Sequence, residues 1–357
     1  MSESRPHGLS GHTAHRIPEL WDAAPGYLNT ATYGLPPHPT LHDMHEALDG
    51  WRSGRTSRGH WEVAVEQARA SFGRLVGAET TDVAVGSQVS SLVGLVAAAL
   101  PDDARVLVPD IEFTSNVFPY LVHAGRGVEV VTAPVDGLVD AIDERITAVA
   151  YSVVQSATGE ITDMAAVAAK ARAYGAITIA DATQAVGWLP VHAGRADVLV
   201  CGAYKWLMAP RGTAFLVVTP EVAERTVPLN AGWFAGEDPE DSYYGLPLRL
   251  AKDARRFDVS PGWFDWVGTA ASLAVVESIG VAAVHAHDVA LANRFREGLG
   301  MAPGHSAIVS LNRPGAAERF AQAGIQASVR AGSVRAAFHL YTSEADVDAA
   351  VAALTES

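Results

Sequence analysis

Asp181 and Lys205 are the two residues whose types and setting could do chemistry together. They fall in residues 177–215, ITIADATQAVGWLPVHAGRADVLVCGAYKWLMAPRGTAF. Residues 177–180 and 197–201 read as two buried strands, compact apolar runs with Asp181 leaving the first and Tyr204-Lys205 following the second. A carboxylate and an amine would then share the C-terminal edge of one sheet, where open α/β proteins bind their ligands. Pyridoxal phosphate wants such a pair. Its aldehyde takes a lysine as a Schiff base, and its pyridine nitrogen stays protonated opposite an aspartate. Alone, each residue has a plainer reading: a strand-end Asp ordinarily caps a helix or forms a turn, and a single Lys is ordinarily solvated.

The elements that must hold the pair read as a strand–helix alternation. Strands are expected at 82–85, 104–109, 128–133, 147–154 and 213–218, besides the two already given. Helical periodicity runs from 41 to about 76 with a polar, glycine-flanked interruption near 53–58, and 164–174 reads as a crossover helix. This order predicts an α/β fold with a mostly parallel sheet. From about 271 a helix leads into a smaller α+β unit with strands at 307–311, 326–329 and 334–341 and a last helix at 344–354. The expected organisation is an N-terminal arm at 1–25, a large domain at 26–265 and a small C-terminal domain at 266–357, with the N-terminal segment able to pack on the latter.

Around the central pair stand Gln184, Tyr204, Pro210 and Gly212. With them, the chain from about residue 25 to 350 resembles the class V aminotransferase and cysteine desulfurase group of fold-type I pyridoxal phosphate enzymes. The resemblance implies Lys205 and Asp181 as catalytic residues, and a cofactor site that includes Gln184 and Tyr204. The turn Gly86-Ser87-Gln88-Val89-Ser90-Ser91 opens an apolar helix, a setting suited to an anion. By the resemblance Ser87 and Gln88 hold the cofactor phosphate, chiefly through backbone amides. Val89 stands where the family usually has an acid, and Gly202 where relatives have a phosphate-binding serine. Phe113 is implied to stack on the cofactor ring, without the proton transfer that a histidine there would add. Gln155 takes the position of an asparagine that contacts the cofactor's 3-oxygen. Arg335 is implied to pair with the substrate α-carboxylate, which a guanidinium fork suits. Thr32 and Tyr33, in the loop closed by Gly34-Leu35-Pro36-Pro37, lie near the substrate by the same resemblance. Ser260, in an aromatic block at 255–266, matches a threonine that crosses to the partner's phosphate, so a homodimer with its active site at the subunit interface is expected.

Composition narrows the partners. The net charge of −14 disfavours nucleic acid and anionic membranes, whose binding needs a basic face. One cysteine, Cys201, allows no disulfide framework and no cysteine metal cluster. The histidines contain no HExxH motif, and His38, His42 and His45 read as a solvated helix start, so no metal is expected. The polar start carries no signal-peptide core and no apolar run approaches membrane-spanning length, which makes the cytoplasm the expected location.

Several reactions share proton removal from Cα: β-elimination, transamination and epimerisation. Desulfurase chemistry needs a mobile cysteine on a loop between two arginine motifs, yet Arg330 and Arg335 are adjacent motifs without room for one. Cys201 lies inside an apolar strand, where a buried thiol is the expectation. The leading expectation is therefore a C–S lyase that eliminates a thiol from an S-substituted cysteine, resembling the ergothioneine type. An aminotransferase or an epimerase of the isopenicillin N epimerase-like branch, to which the Lys-Trp-Leu-x-x-Pro-Arg-Gly run is similar, is the alternative.

Overall fold

The structure is a computed structural model and describes residues 18–355. The histidine-rich start read as most of the arm, residues 1–17, lies outside the described residues. Seven strands form the main sheet: β1 (Val83–Gly86), β2 (Arg105–Pro109), β3 (Glu129–Ala133), β4 (Ala148–Ser152), β5 (Ile177–Asp181), β6 (Val198–Gly202) and β7 (Ala214–Val218). Their order is β1-β7-β6-β5-β4-β2-β3. Neighbours from β6 to β3 pair parallel, and β7 runs antiparallel to both β6 and β1. The fold is α/β with a mostly parallel sheet.

The strand sequences explain this arrangement. In β4, β5 and β6 nearly every side chain is buried, as continuous apolar runs require when helices cover both faces. Phe72, Phe215 and Trp188 belong to the core on one face, Leu92, Val96 and Tyr120 to the core on the other. The crossover helix Met164–Tyr174 starts where Asp163 accepts the amides of Ala165 and Ala166 at 3.0 Å, and stops at Gly175, whose φ of 72° is left-handed.

A second sheet, in the order β8-β10-β9, is antiparallel: β8 (Ile308–Leu311), β9 (Ser328–Arg330) and β10 (Ser333–Ala337). The N-terminal segment joins it. Leu28 donates to the Gln326 carbonyl and accepts from the Ala337 amide, both at 2.9 Å, and its side chain is buried with Phe295 and Phe320. The strand expected at 334–341 stops at Ala337. Residues 339–342 close into a turn instead, with the Thr342 amide on the His339 carbonyl at 2.7 Å and the Tyr341 hydroxyl on Thr30 at 2.6 Å. The helix expected from about 271 begins at Trp263, because Trp266 packs edge-on against Phe215 and draws the aromatic block into the first turn. Among the described residues no single helix is long and apolar enough to cross a membrane, and the pair Trp263–Ile279 and Val281–Gly298 passes together only across an 82° bend.

Candidate active site

Because β1, β2, β4, β5 and β6 point the same way, the loops after them meet at one edge of the sheet. They enclose a cleft open to solvent on one side. Seven of the cofactor and catalytic residues expected from the sequence line it, Ser87, Gln88 and Phe113, then Asp181, Gln184, Tyr204 and Lys205, together with Gly212.

Asp181 is in register with Ser152 of β4 and with Val200 of β6, which sets the carboxylate beside the lysine loop. It is 5% exposed, and one oxygen accepts the Thr183 amide at 2.9 Å. Burial pushes the Asp181 carboxyl above its ordinary value, while Thr183 and the nearby Lys205 hold it down. Lys205 is 6% exposed, and its amine makes no hydrogen bond or ion pair with the described residues. Its Nζ lies 5.5 Å from the centre of the Phe113 ring and 5.6 Å from that of Tyr204. Burial pulls the amine from its ordinary 10.5 down to about 8; Asp181 opposes this, and Arg335 and Arg330 assist it.

The lysine loop is clamped from several sides. The Gly34 amide donates to the Tyr204 carbonyl at 2.9 Å, and a Cβ on Gly34 would sit 2.0 Å from the Lys205 carbonyl oxygen. Only glycine fits there, which explains the turn at 34–37. Gln184 lines the cleft, yet its amide is committed elsewhere: Nε2 donates to Ala31 O at 2.9 Å and to Ser156 Oγ at 3.1 Å, and Oε1 accepts from Trp206 Nε1 at 2.8 Å.

The remaining sequence candidates stand outside the cleft lining. Gln155 is fully buried and donates to Glu112 at 3.1 Å, leaving its Oε1 without a partner among the described residues. Arg335 is 1% exposed and reaches the cleft through Ser156, a lining residue: Nη1 donates to Ser156 Oγ at 2.9 Å and to its carbonyl, and Nη2 to Thr32 Oγ1 at 2.9 Å. Tyr33 is exposed beside Thr32, its ring 5.7 Å from that of Tyr27. Ser260 is exposed and contributes nothing to this cleft.

Two residues were not singled out from sequence. Glu112, just past β2, accepts the amides of Phe113 at 2.9 Å and Ser152 at 2.7 Å, besides the Ser152 hydroxyl, and so ties the stacking residue to the end of β4. Its signal was an acid at the same sheet edge that picked out Asp181. Arg211 lines the cleft with its guanidinium 5.3 Å from the Tyr204 ring, and was visible only as one arginine of a familiar run. Cys201 is fully buried, and burial pushes its thiol well above the ordinary range.

Residues 27–328 match the family described as Aminotransferase class-V. The chain belongs to that family. An uncharacterized aminotransferase from Bacillus subtilis is 28% identical over 242 residues, 64% of each chain. Isopenicillin N epimerase from Streptomyces clavuligerus is 31% identical over 267 residues, 67% of this chain and 65% of that one. The chain thus spans a little under two thirds of the length of these two relatives. In fold, the structure described as a complex between the cystine C-S lyase C-DES and its product cysteine persulfide superposes with a TM-score of 0.84, at 19% identity, over 95% of this chain and 99% of that one. The cofactor of this family is pyridoxal 5'-phosphate.

The residues present fit that cofactor. The cleft offers a buried amine with no hydrogen-bond partner among the described residues, a buried carboxylate beside it, and the start of helix Val89–Ala99, whose first turn has no side-chain cap. Among the described residues no cluster of three metal-ligating side chains occurs.

Proposed function

We propose that the enzyme is a C–S lyase that cleaves an S-substituted cysteine by β-elimination. One observation carries this reading. The only cysteine of the chain is sealed in β6, and β9 and β10 are joined by the two-residue turn Ala331-Gly332, with φ of 47° and 78°, so no loop carries a thiol over the cleft. Sulfur would then have to leave with its substituent.

When bound, pyridoxal phosphate supplies an aldehyde that condenses with the substrate amine and a ring that draws electron density from Cα. Lys205 Nζ takes the Cα proton, and an amine held near 8 has a useful neutral fraction at neutral pH where an unperturbed lysine has almost none. Asp181 would face the ring nitrogen and keep it protonated. Ser87 and Gln88 would hold the phosphate with backbone amides, Phe113 would cover the ring and Tyr204 would complete the lining, with Gln184 and Gln155 supporting the cofactor site from behind it. Arg335, with Thr32 and Tyr33 beside it, receives the α-carboxylate. The C–S bond breaks with its electron pair on sulfur, which leaves as a thiol after protonation. Water then converts the remaining three-carbon enamine to pyruvate and ammonia.

The working form in this reading is a cytoplasmic homodimer in which Ser260, exposed here, reaches the partner's phosphate, and residues 26–265 and 266–357 act as large and small domains. A second reading, epimerisation, draws on the 31% identity to isopenicillin N epimerase. It is less favoured because Phe113, which covers the ring, has no proton to give.

The test is a mass-spectrometric product screen over S-substituted cysteines and common amino acids. Pyruvate, ammonia and a free thiol are expected. An amino group passed to a keto acid, or inversion at Cα, with no pyruvate formed, would overturn elimination.

A further inference from the structure

Two guanidinium groups converge on a single hydroxyl beside the cleft. In the β9–β10 hairpin Arg335 is opposite Ser328 and Arg330 is opposite Ser333, so the period of two puts both arginines on one face. Arg335 Nη2 donates to Thr32 Oγ1 at 2.9 Å, and Arg330 Nη2 approaches the same oxygen at 3.5 Å. That hydroxyl spends its own proton on Asn29 Oδ1 at 2.7 Å. Neither arginine has a carboxylate partner among the described residues. The chain treats the buried Arg69 differently, matching it with Asp258 at 2.6 Å and Glu66 at 3.0 Å. Two neighbouring cations held only by neutral acceptors are poorly compensated, and an anion entering the site would relieve them. Arg335 also feels this: burial, and then Arg330, pull its guanidinium down to about 10.

The two arginines differ in what they have left to give. Arg335 has committed Nε to Ser328 Oγ, Nη1 to Ser156 and one Nη2 hydrogen to Thr32. Arg330 is half-buried and donates at normal distance only to the neighbouring Val329 carbonyl, at 2.8 Å. An α-carboxylate on Arg335 brings one negative charge and leaves Arg330 uncompensated.

We propose that Arg330 is a specificity-determining residue that binds a second anionic group, carried on the side chain of the amino-acid substrate. This rests on Arg335 holding the α-carboxylate. Combined with elimination, the substrate class becomes S-substituted cysteines whose sulfur substituent ends in a carboxylate or another anion.

The test uses unreactive acids on the holoenzyme. Succinate and propionate carry two and one carboxylates and have no amino group, and calorimetry gives their dissociation constants. Wild-type protein binds succinate about tenfold or more tighter than propionate, as a charge-assisted pair supplies. Arg330→Gln loses that factor for succinate and changes propionate by less than about threefold, and Arg330→Lys recovers part of it by restoring the charge. Equal affinities in the wild type would overturn the proposal. So would an equal loss for both acids in Arg330→Gln, which would mean that the two arginines share one carboxylate. The outcome is independent of the product screen, because neither probe reacts: elimination can fail while the selectivity stands, and the reverse.

Discussion

Lys205 should show its depressed basicity in the pH dependence of Cα proton removal. Burial brings the amine from 10.5 to about 8, a change of about 2.5 units or about 3.4 kcal/mol in the balance between ammonium and amine. At pH 7 the neutral fraction is then about 9%, against about 0.03% for an unperturbed lysine, a gain of roughly 300-fold in working base. The sign follows from the direction of the shift. The reactive neutral amine is present above about pH 8 and is lost tenfold per unit as pH falls below it. Exchange of the substrate Cα proton for deuterium, followed by proton NMR across pH 6 to 10, reads this step whatever happens afterwards. Asp181 is the largest influence holding the Lys205 value up, so Asp181→Asn should move the midpoint to lower pH while lowering the maximal rate. A wild-type midpoint near 10.5, or an upward movement in Asp181→Asn, would refute the reasoning.

Three further outcomes follow from the structure. Asp258→Ala strips the fully buried Arg69 of its 2.6 Å partner and the Val85 amide of its 2.7 Å acceptor, and should cost about 3–5 kcal/mol in urea unfolding; a loss below about 1 kcal/mol would mean that Glu66 alone compensates the arginine. Arg335→Ala should raise KM by about tenfold or more with the cofactor absorbance intact, whereas loss of that absorbance would show that Arg335 serves the cofactor instead. Cys201→Ala should keep turnover within about threefold, since the thiol is fully buried and far from reactive; a fall of about a hundredfold would mean that sulfur passes through the protein.

The sequence alone determined the central sheet and the chemical pair at its edge. Runs such as AVAYS, ITIAD and VLVCG are uniformly apolar because strands covered on both faces exclude water from every position, and that requirement is local enough to be read along the chain. Asp181 and Lys205 follow two such runs, so parallel pairing was sufficient to bring them together. The short spacing of Arg330 and Arg335 likewise excluded a thiol-bearing loop, and the structure shows a two-residue turn there. Tertiary structure decided the rest. Arg335 meets Thr32 and Ser156 across 303 and 179 positions of chain, and Gln155 turns to Glu112 across 43. No periodicity records such contacts, because they exist only once distant loops are closed against one another. The early end of β10 at Ala337 has the same origin. Local pattern fixes which face of a strand is dry; which buried polar group satisfies which other depends on the assembled fold, where each unpaired donor or acceptor must find a partner.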